Sequence, residues 1–209
     1  MPPPAPKRRL SRPLLWGFDL AALEHAYRSH TVMADALTAE ECDRVIAMGE
    51  AALERRGQDG EAGDGVHPEI RRSTITWLPP ADDTAFLYRR IERIARSANQ
   101  QFFGFSLIGM GEAVQFARYA GGGDHYGWHQ DIGDGPPILR KLSVVVQLSD
   151  PDRYEGGDLE LRMSDKVSQA RRARGAMVLF PSWQLHRVTP VTAGLRYSLA
   201  CWISGEPFR

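Results

Sequence analysis

The chain has 209 residues, 43% hydrophobic and 25% charged, which suits one globular domain with an ordinary core and leaves little room for a second. Its 26 basic and 26 acidic residues cancel, so neither nucleic acid nor an anionic membrane surface is indicated as a partner. Two cysteines, Cys42 and Cys201, match neither a disulfide framework nor a paired-cysteine zinc site, and read as core thiols of a protein in a reducing, cytoplasmic compartment.

Residues 1–13, MPPPAPKRRLSRP, are proline-rich and basic, lack the apolar stretch of a secretory signal and are expected to be a disordered tail. Residues 14–209 are expected to form a single domain. No apolar run has the length that spans a bilayer. From Thr38 the spacing of Cys42, Val45, Ile46, Gly49 and Leu53 predicts a helix, opened by a capping box of Thr38 and Glu41. A Gly/Asp-rich loop follows, then IRRSTITWL, whose alternation and β-branched content predict a strand ended by Pro79 and Pro80. A second helix is predicted from about Asp83 to Phe103, with Leu87, Ile91, Ile94, Ala98 and Phe102 on one face. Helical support thus occupies about 36–103.

Beyond Glu112 the pattern changes to short β-type runs separated by Gly, Pro and Asp: EAVQFARY, KLSVVVQLS, DLELRM, GAMVLFP, HRVTPV and RYSLACWIS. Such runs, with no helical pattern between them, predict an antiparallel sandwich or small barrel. The expected fold is mainly β with flanking helices: a double-stranded β-helix, or cupin-like jelly roll, with its core at about 112–204.

Inside this region sits Tyr119-AGGGDHYGW-His129-Gln130-Asp131. On an extended segment residues two apart face the same side, so His129 and Asp131 can meet one ion, although a single His-x-Asp triplet is a weak motif. His186, further along, completes two imidazoles and one carboxylate, a set that leaves three facial positions open on ferrous iron. Two of these suit a 2-keto acid and the third O2. Thr192-Ala193-Gly194 reads as a turn that folds the next strand back on the strand of His186, placing Arg196 near Thr189, about 10 Å along. A five-carbon keto acid would then reach from the metal to the Arg196 guanidinium. Ser198 shares the parity of Arg196 and can help hold the same carboxylate. Iron(II) with one aspartate carries net +1 against a dianion, so a buried cation is needed, and Arg196 supplies it.

From about Glu112 to Arg209 the chain resembles the 2-oxoglutarate/iron(II) oxygenases, and among them the prolyl-4-hydroxylase-like and PKHD-type hydroxylases. YAGG-DHYGWHQD, RKLSVVVQLSDPDRYEGGDLEL and LFPSWQLHRVTPVTAGLRYSLACWIS carry the resemblance. It implies His129, Asp131 and His186 as catalytic iron ligands and Arg196 as the 2-oxoglutarate anchor. It also implies Tyr119 as a cosubstrate contact, Gln147 where relatives have a second tyrosine, and Trp202 as a pocket wall. Asp131, in place of Ala or Gly, argues against the halogenase branch. The implied reaction is hydroxylation of a peptidyl residue, amino acid or small metabolite, with decarboxylation of 2-oxoglutarate to succinate by O2.

Other features are weighed against bland readings. His125 lies four residues before His129, but the surrounding glycines argue against a helical zinc face. His25, His30 and His67 have no partner pattern. Arg71 and Arg72 can hold an anionic substrate group or simply edge a strand, and Trp128 and Trp183 can line a cleft or pack the rim. Gly156 and Gly157 suit a tight turn better than phosphate binding. The rival readings are a non-catalytic cupin-like metal- or ligand-binding sensor and a keto-acid-independent dioxygenase.

Overall fold

The capping box at Thr38 forms as expected: Glu41 N donates to Thr38 Oγ1 at 3.1 Å and Thr38 N donates to Glu41 Oε2 at 2.9 Å. It starts α1 (Ala39–Arg56) in a computed structural model that describes residues 29–61 and 65–207. The expected tail and His25 lie outside the described residues. The second helix, α2 (Ala85–Ala98), passes into a π-helical turn over Asn99–Phe103 that ends at Gly104.

The β elements in chain order are β1 (Thr31–Met33), β2 (Gln58–Asp59), β3 (Arg71–Arg72), β4 (Thr74–Leu78), β5 (Leu107–Met110), β6 (Val114–Ala120) and β7 (Asp124–His129). They continue as β8 (Arg140–Gln147), β9 (Tyr154–Gly156), β10 (Leu159–Met163), β11 (Lys166–Gln169), β12 (Met177–Pro181) and β13 (Leu185–Gly205). One sheet has the order β1-β12-β8-β13-β6-β4-β2, with β5 beside the end of β13. A second sheet pairs β11 with β10, β10 with β13, β13 with β7 and β7 with β3, while β9 also pairs with β13. All pairings are antiparallel, which is the expected double-stranded β-helix.

Two expectations are corrected. HRVTPV and RYSLACWIS are not two strands around a turn at residues 192–194; they are one strand, β13, that runs through both sheets. Its register shifts between Val191 and Ala193, and Gly194 sits at φ 76°, so the segment bends without reversing. A Cβ at Gly194 would lie 2.2 Å from the Arg153 carbonyl oxygen, which is why the bend needs glycine. Arg196 therefore pairs with Tyr119 on β6 instead of folding back on Thr189. IRRSTITWL also divides, because the chain leaves the second sheet after Arg72 and enters the first at Thr74.

Alternation along the first sheet sorts its side chains into two layers. Phe116 and Val114 of β6, Val144 and Val146 of β8, and Leu199, Cys201 and Ile203 of β13 join the core beneath the helices, with Leu87, Ile91 and Val45. Gly49 lets α1 lie directly on β6: a Cβ there would fall 2.4 Å from the Phe116 ring. Both cysteines are buried free thiols, as expected. The opposite face, bearing Tyr119, Gln147, Arg196, Ser198 and Trp202, borders the space between the sheets.

Candidate metal and cosubstrate site

The second sheet brings His129 opposite His186 in the register of β7 and β13. Asp131 follows just beyond β7, held by its main-chain N–H on the Ser182 carbonyl at 2.9 Å. His129 Nε2 lies 3.6 Å from Asp131 Oδ1, and His186 Nε2 lies 3.4 Å from Oδ2. One ligand atom from each of the three residues lies within 4.8 Å of the others, which is compact enough for a shared ion.

Outer contacts aim these atoms. His129 Nδ1 is 2.8 Å from the Gly127 carbonyl and His186 Nδ1 is 2.9 Å from that of Gln184, so each Nδ1–H is committed and each Nε2 lone pair faces Asp131. Ser143 Oγ donates to Asp131 Oδ2 at 2.5 Å, and Arg140 Nη1 to the Asp131 carbonyl at 2.9 Å. Arg140 is itself gripped by Glu112, with Nε to Oε1 at 2.7 Å, and its Cζ lies 3.7 Å above the Trp202 ring.

Electrostatics favour the metal-ready state. Burial, and next the neighbouring His186, push the His129 imidazole down to about 3, so this ring is neutral at pH 7. Burial opposes the Asp131 charge, but His186, His129 and the Ser143 hydroxyl outweigh it and hold the carboxyl below its usual range.

Arg196 is fully buried, at 0% exposure. Its Nη1 donates to Ser198 Oγ at 3.2 Å and its Nη2 to Gln147 Oε1 at 3.0 Å, while its Cζ lies 5.2 Å over the Tyr119 ring. The Nε has no hydrogen-bond partner and no carboxylate forms an ion pair with this arginine among the described residues. A buried cation held only by neutral groups is costly unless an anion joins it. Arg196 and the three clustered residues line one cavity, whose chemistry fits a divalent metal at one end and a dicarboxylate reaching the other.

Seven of the eight residues expected from sequence line this cavity, and Gln147 joins them as a hydrogen-bond partner of Arg196. His125 bonds to the Gly123 and Glu69 carbonyls and is not in the cluster, and Arg72 pairs with Asp124 at the surface. Trp128 packs under Arg187, 4.7 Å from its Cζ. Gly156 and Gly157 turn at positive φ, and Gly157 also gives Arg196 room: a Cβ there would lie 2.8 Å from Arg196 Cδ.

Three contributors were absent from the sequence reading. Ser143 shares a face with Gln147, four residues along β8, so alternation could have found it. Tyr126 stacks on His129 at 3.5 Å and 11°, although the two lie three positions apart on one strand, an odd spacing that alternation would send to opposite faces. The register shift between His186 and Val188 inserts an extra residue in β7, which turns both side chains inward. Arg140 reaches the site only through pairing, and no local pattern marks it.

A profile describing the 2OG-Fe(II) oxygenase superfamily matches residues 114–204, the stretch that carries every residue of this site. A PKHD-type hydroxylase of Nitrobacter winogradskyi is 32% identical over 182 residues, 82% of this chain and 76% of that protein. The chain belongs to the PKHD-type 2-oxoglutarate/Fe(II) oxygenases. Its family cofactors are Fe(II), 2-oxoglutarate and O2. A Hyphomonas neptunium PKHD-type hydroxylase is 44% identical over 88 residues, 40% of this chain. Matches to several such relatives span 39 to 58% of the relatives' length. Among solved structures, a Pseudomonas putida prolyl-4-hydroxylase superposes with a TM-score of 0.70 at 25% identity, covering 89% of this chain and 95% of that one. No helix among the described residues is long and apolar enough to cross a membrane.

Proposed function

We propose that this PKHD-type oxygenase hydroxylates a small-molecule or peptidyl substrate, within one catalytic domain spanning residues 14–209. His129, Asp131 and His186 are the Fe(II) ligands in this reading, and Arg196 is the 2-oxoglutarate anchor. The observation that carries it is the fully buried, carboxylate-free Arg196 sharing a cavity with two imidazoles and a carboxylate within 4.8 Å.

Held by His129, Asp131 and His186, Fe(II) would supply the redox chemistry by which one oxygen atom of O2 goes to 2-oxoglutarate, giving succinate and CO2, and the other to a substrate C–H bond. The protein's own residues bind, orient and exclude water. Gly127 and Gln184 carbonyls fix the two imidazoles, and Ser143 fixes one Asp131 oxygen. Arg196, steadied by Gln147 and Ser198, receives the distal carboxylate of the cosubstrate, and Tyr119 closes its ring face. Trp202 and the apolar Val188 and Leu159 keep water from the reacting carbon.

We assign the protein to the cytoplasm. This rests on its two cysteines remaining free thiols, with no disulfide framework, as suits a reducing compartment. The enzymatic reading is tested by adding 2-oxoglutarate to the Fe(II)-loaded protein without O2. A visible charge-transfer absorption is expected, and its absence refutes the proposal.

A further inference from the structure

A second guanidinium borders the same cavity and is unused by the proposed reaction. Arg71 is 7% exposed, and it lines the space together with His129, Asp131 and Arg196. Its Nε donates to Ser73 Oγ at 3.0 Å, its Nη1 to the Glu61 carbonyl at 3.1 Å and its Nη2 to Gln115 Oε1 at 2.8 Å. Every acceptor is neutral, and no carboxylate forms an ion pair with Arg71 among the described residues. Its Cζ lies 4.5 Å over Tyr126, whose ring stacks 3.5 Å from that of His129. A single ring, that of Tyr126, thus stands between Arg71 and a proposed iron ligand.

The charges of the loaded cavity do not balance without a further anion. Fe(II) and the guanidiniums of Arg71 and Arg196 bring four positive charges, while Asp131 and dianionic 2-oxoglutarate bring three negative. Arg196 and the metal account for the cosubstrate, so the surplus resides at Arg71. Three of its five N–H groups are committed to neutral acceptors and a further contact goes to the neutral Tyr126 side chain; these fix the planar fork without neutralising its charge. Ala117, Tyr126 and Val188 give this cavity apolar and aromatic walls beside Arg71 and the metal ligands.

We propose that Arg71 is a substrate-binding residue, and that the substrate of this oxygenase is a small organic acid or amino acid whose free carboxylate it holds while an aliphatic carbon faces the metal. This rests on the oxygenase reading above. A peptide lacking a nearby carboxylate would leave the buried charge unmatched, at the cost that accompanies an unpaired buried ion.

The test is calorimetric and needs no turnover. Protein loaded with Mn(II), a redox-silent substitute, is first titrated with 2-oxoglutarate. The saturated complex is then titrated with isobutyrate and 4-methylpentanoate, and with isobutyramide and 4-methylpentanamide, their neutral isosteres. The carboxylates should bind at least about tenfold more tightly than the amides. Arg71→Gln and Gln115→Glu should each erase that preference while changing 2-oxoglutarate affinity less than about twofold. Gln115→Glu is the decisive variant, because it keeps an acceptor for Nη2 and neutralises the charge in place, so a folded protein is retained if Arg71→Gln loosens the Glu61 and Ser73 contacts.

Failure of 2-oxoglutarate to bind the Mn(II) protein would sink the oxygenase reading and this proposal with it. Normal 2-oxoglutarate binding with carboxylates no tighter than amides, or with neither probe bound, would overturn the Arg71 assignment alone. A parallel loss of 2-oxoglutarate affinity in Arg71→Gln and Gln115→Glu would make Arg71 a second cosubstrate anchor and equally overturn it.

Discussion

Replacing Arg196 by Met separates the site's chemistry from its packing. The side chain is fully buried and, among the described residues, its charge meets Gln147, Ser198 and the Tyr119 ring but no carboxylate, so the wild-type apoprotein carries an unpaired interior cation. A bidentate contact to the distal carboxylate of 2-oxoglutarate is worth about 3–5 kcal/mol when one partner of a buried charged pair is removed. That corresponds to about a hundredfold to a few thousandfold loss in 2-oxoglutarate affinity. Stability should respond differently. Gln147 Oε1 loses a partner, at about 1–3 kcal/mol, while removal of a desolvated charge offsets a similar amount. The net change should stay within about 2 kcal/mol, or roughly 4–8 °C in Tm for a chain of this size. Titration calorimetry with Mn(II) and 2-oxoglutarate, beside differential scanning calorimetry of the apoprotein, measures both quantities. Mn(II) affinity without cosubstrate should change less than about twofold, since Arg196 touches none of the three ligands. Unchanged 2-oxoglutarate affinity would refute the anchor, and a fall in Tm of more than about 15 °C would make Arg196 a structural residue.

Ser143→Ala removes the 2.5 Å hydrogen bond that orients Asp131, and metal affinity measured by competition with a chelator should drop about 10–100-fold with little loss of fold. The stability of the metal-free protein should fall with acidification. His129 is held near 3 in the folded state and titrates near 6.5 when unfolded, so the unfolded chain binds more protons between those values. Urea unfolding from pH 7 to 5 should show a decline approaching about 1.4 kcal/mol per pH unit below about 6.5, and His129→Asn should flatten it. Asp131, held below the usual carboxylate range, adds a loss of the same sign at lower pH, below about 4. Gly194→Ala places a Cβ 2.2 Å from the Arg153 carbonyl at φ 76°, and should destabilise the fold by at least about 2–3 kcal/mol in thermal unfolding. An unchanged Tm would mean that β13 bends by some other means.

The proposed His129–Asp131 pair was legible because it is short-range, while His186 was assigned with them through the family resemblance and meets them by the pairing of β7 with β13. His129 and Asp131 are two residues apart, and both imidazoles take their orientation from a carbonyl two residues earlier in the chain. Ser198 and Arg196 were correctly given a common face by strand parity, and their contact at 3.2 Å follows from it. The route to Arg196 was misread, since Thr192-Ala193-Gly194 has turn composition and yet lies within a strand. Its neighbours settle the outcome: β9 pairs with Val191, Ala193 and Gly194 and holds the segment extended. The π-helical end of α2 kept the helical apolar spacing and was read as more helix. Strand β11, Lys166–Gln169, is exposed throughout and carries no apolar alternation, so only its pairing to β10 makes it a strand. Tyr126 and Arg140 belong to the same class: pairing of β7 and β8 gives them their place, and a single sequence does not encode pairing locally, whereas Arg71 was legible as one of two arginines able to hold an anion.

The single strand β13 also explains why the proposed metal and cosubstrate sites would come as a unit. His186 lies in its first half, between β10 and β7, and Arg196 in its second, between β6 and β8. Two strands joined by a flexible turn could vary the separation of these groups independently. A bulged but continuous strand fixes it, because its hydrogen bonds to both sheets must break before His186 and Arg196 can shift relative to each other. A keto acid chelated at one end and ion-paired at the other needs that fixed span, since misplacement of about 1 Å costs most of the benefit of prior alignment. The glycine at 194 is thus tied to the proposed site through geometry: a residue that straightens or breaks the bend would move Arg196 relative to His186 without touching either.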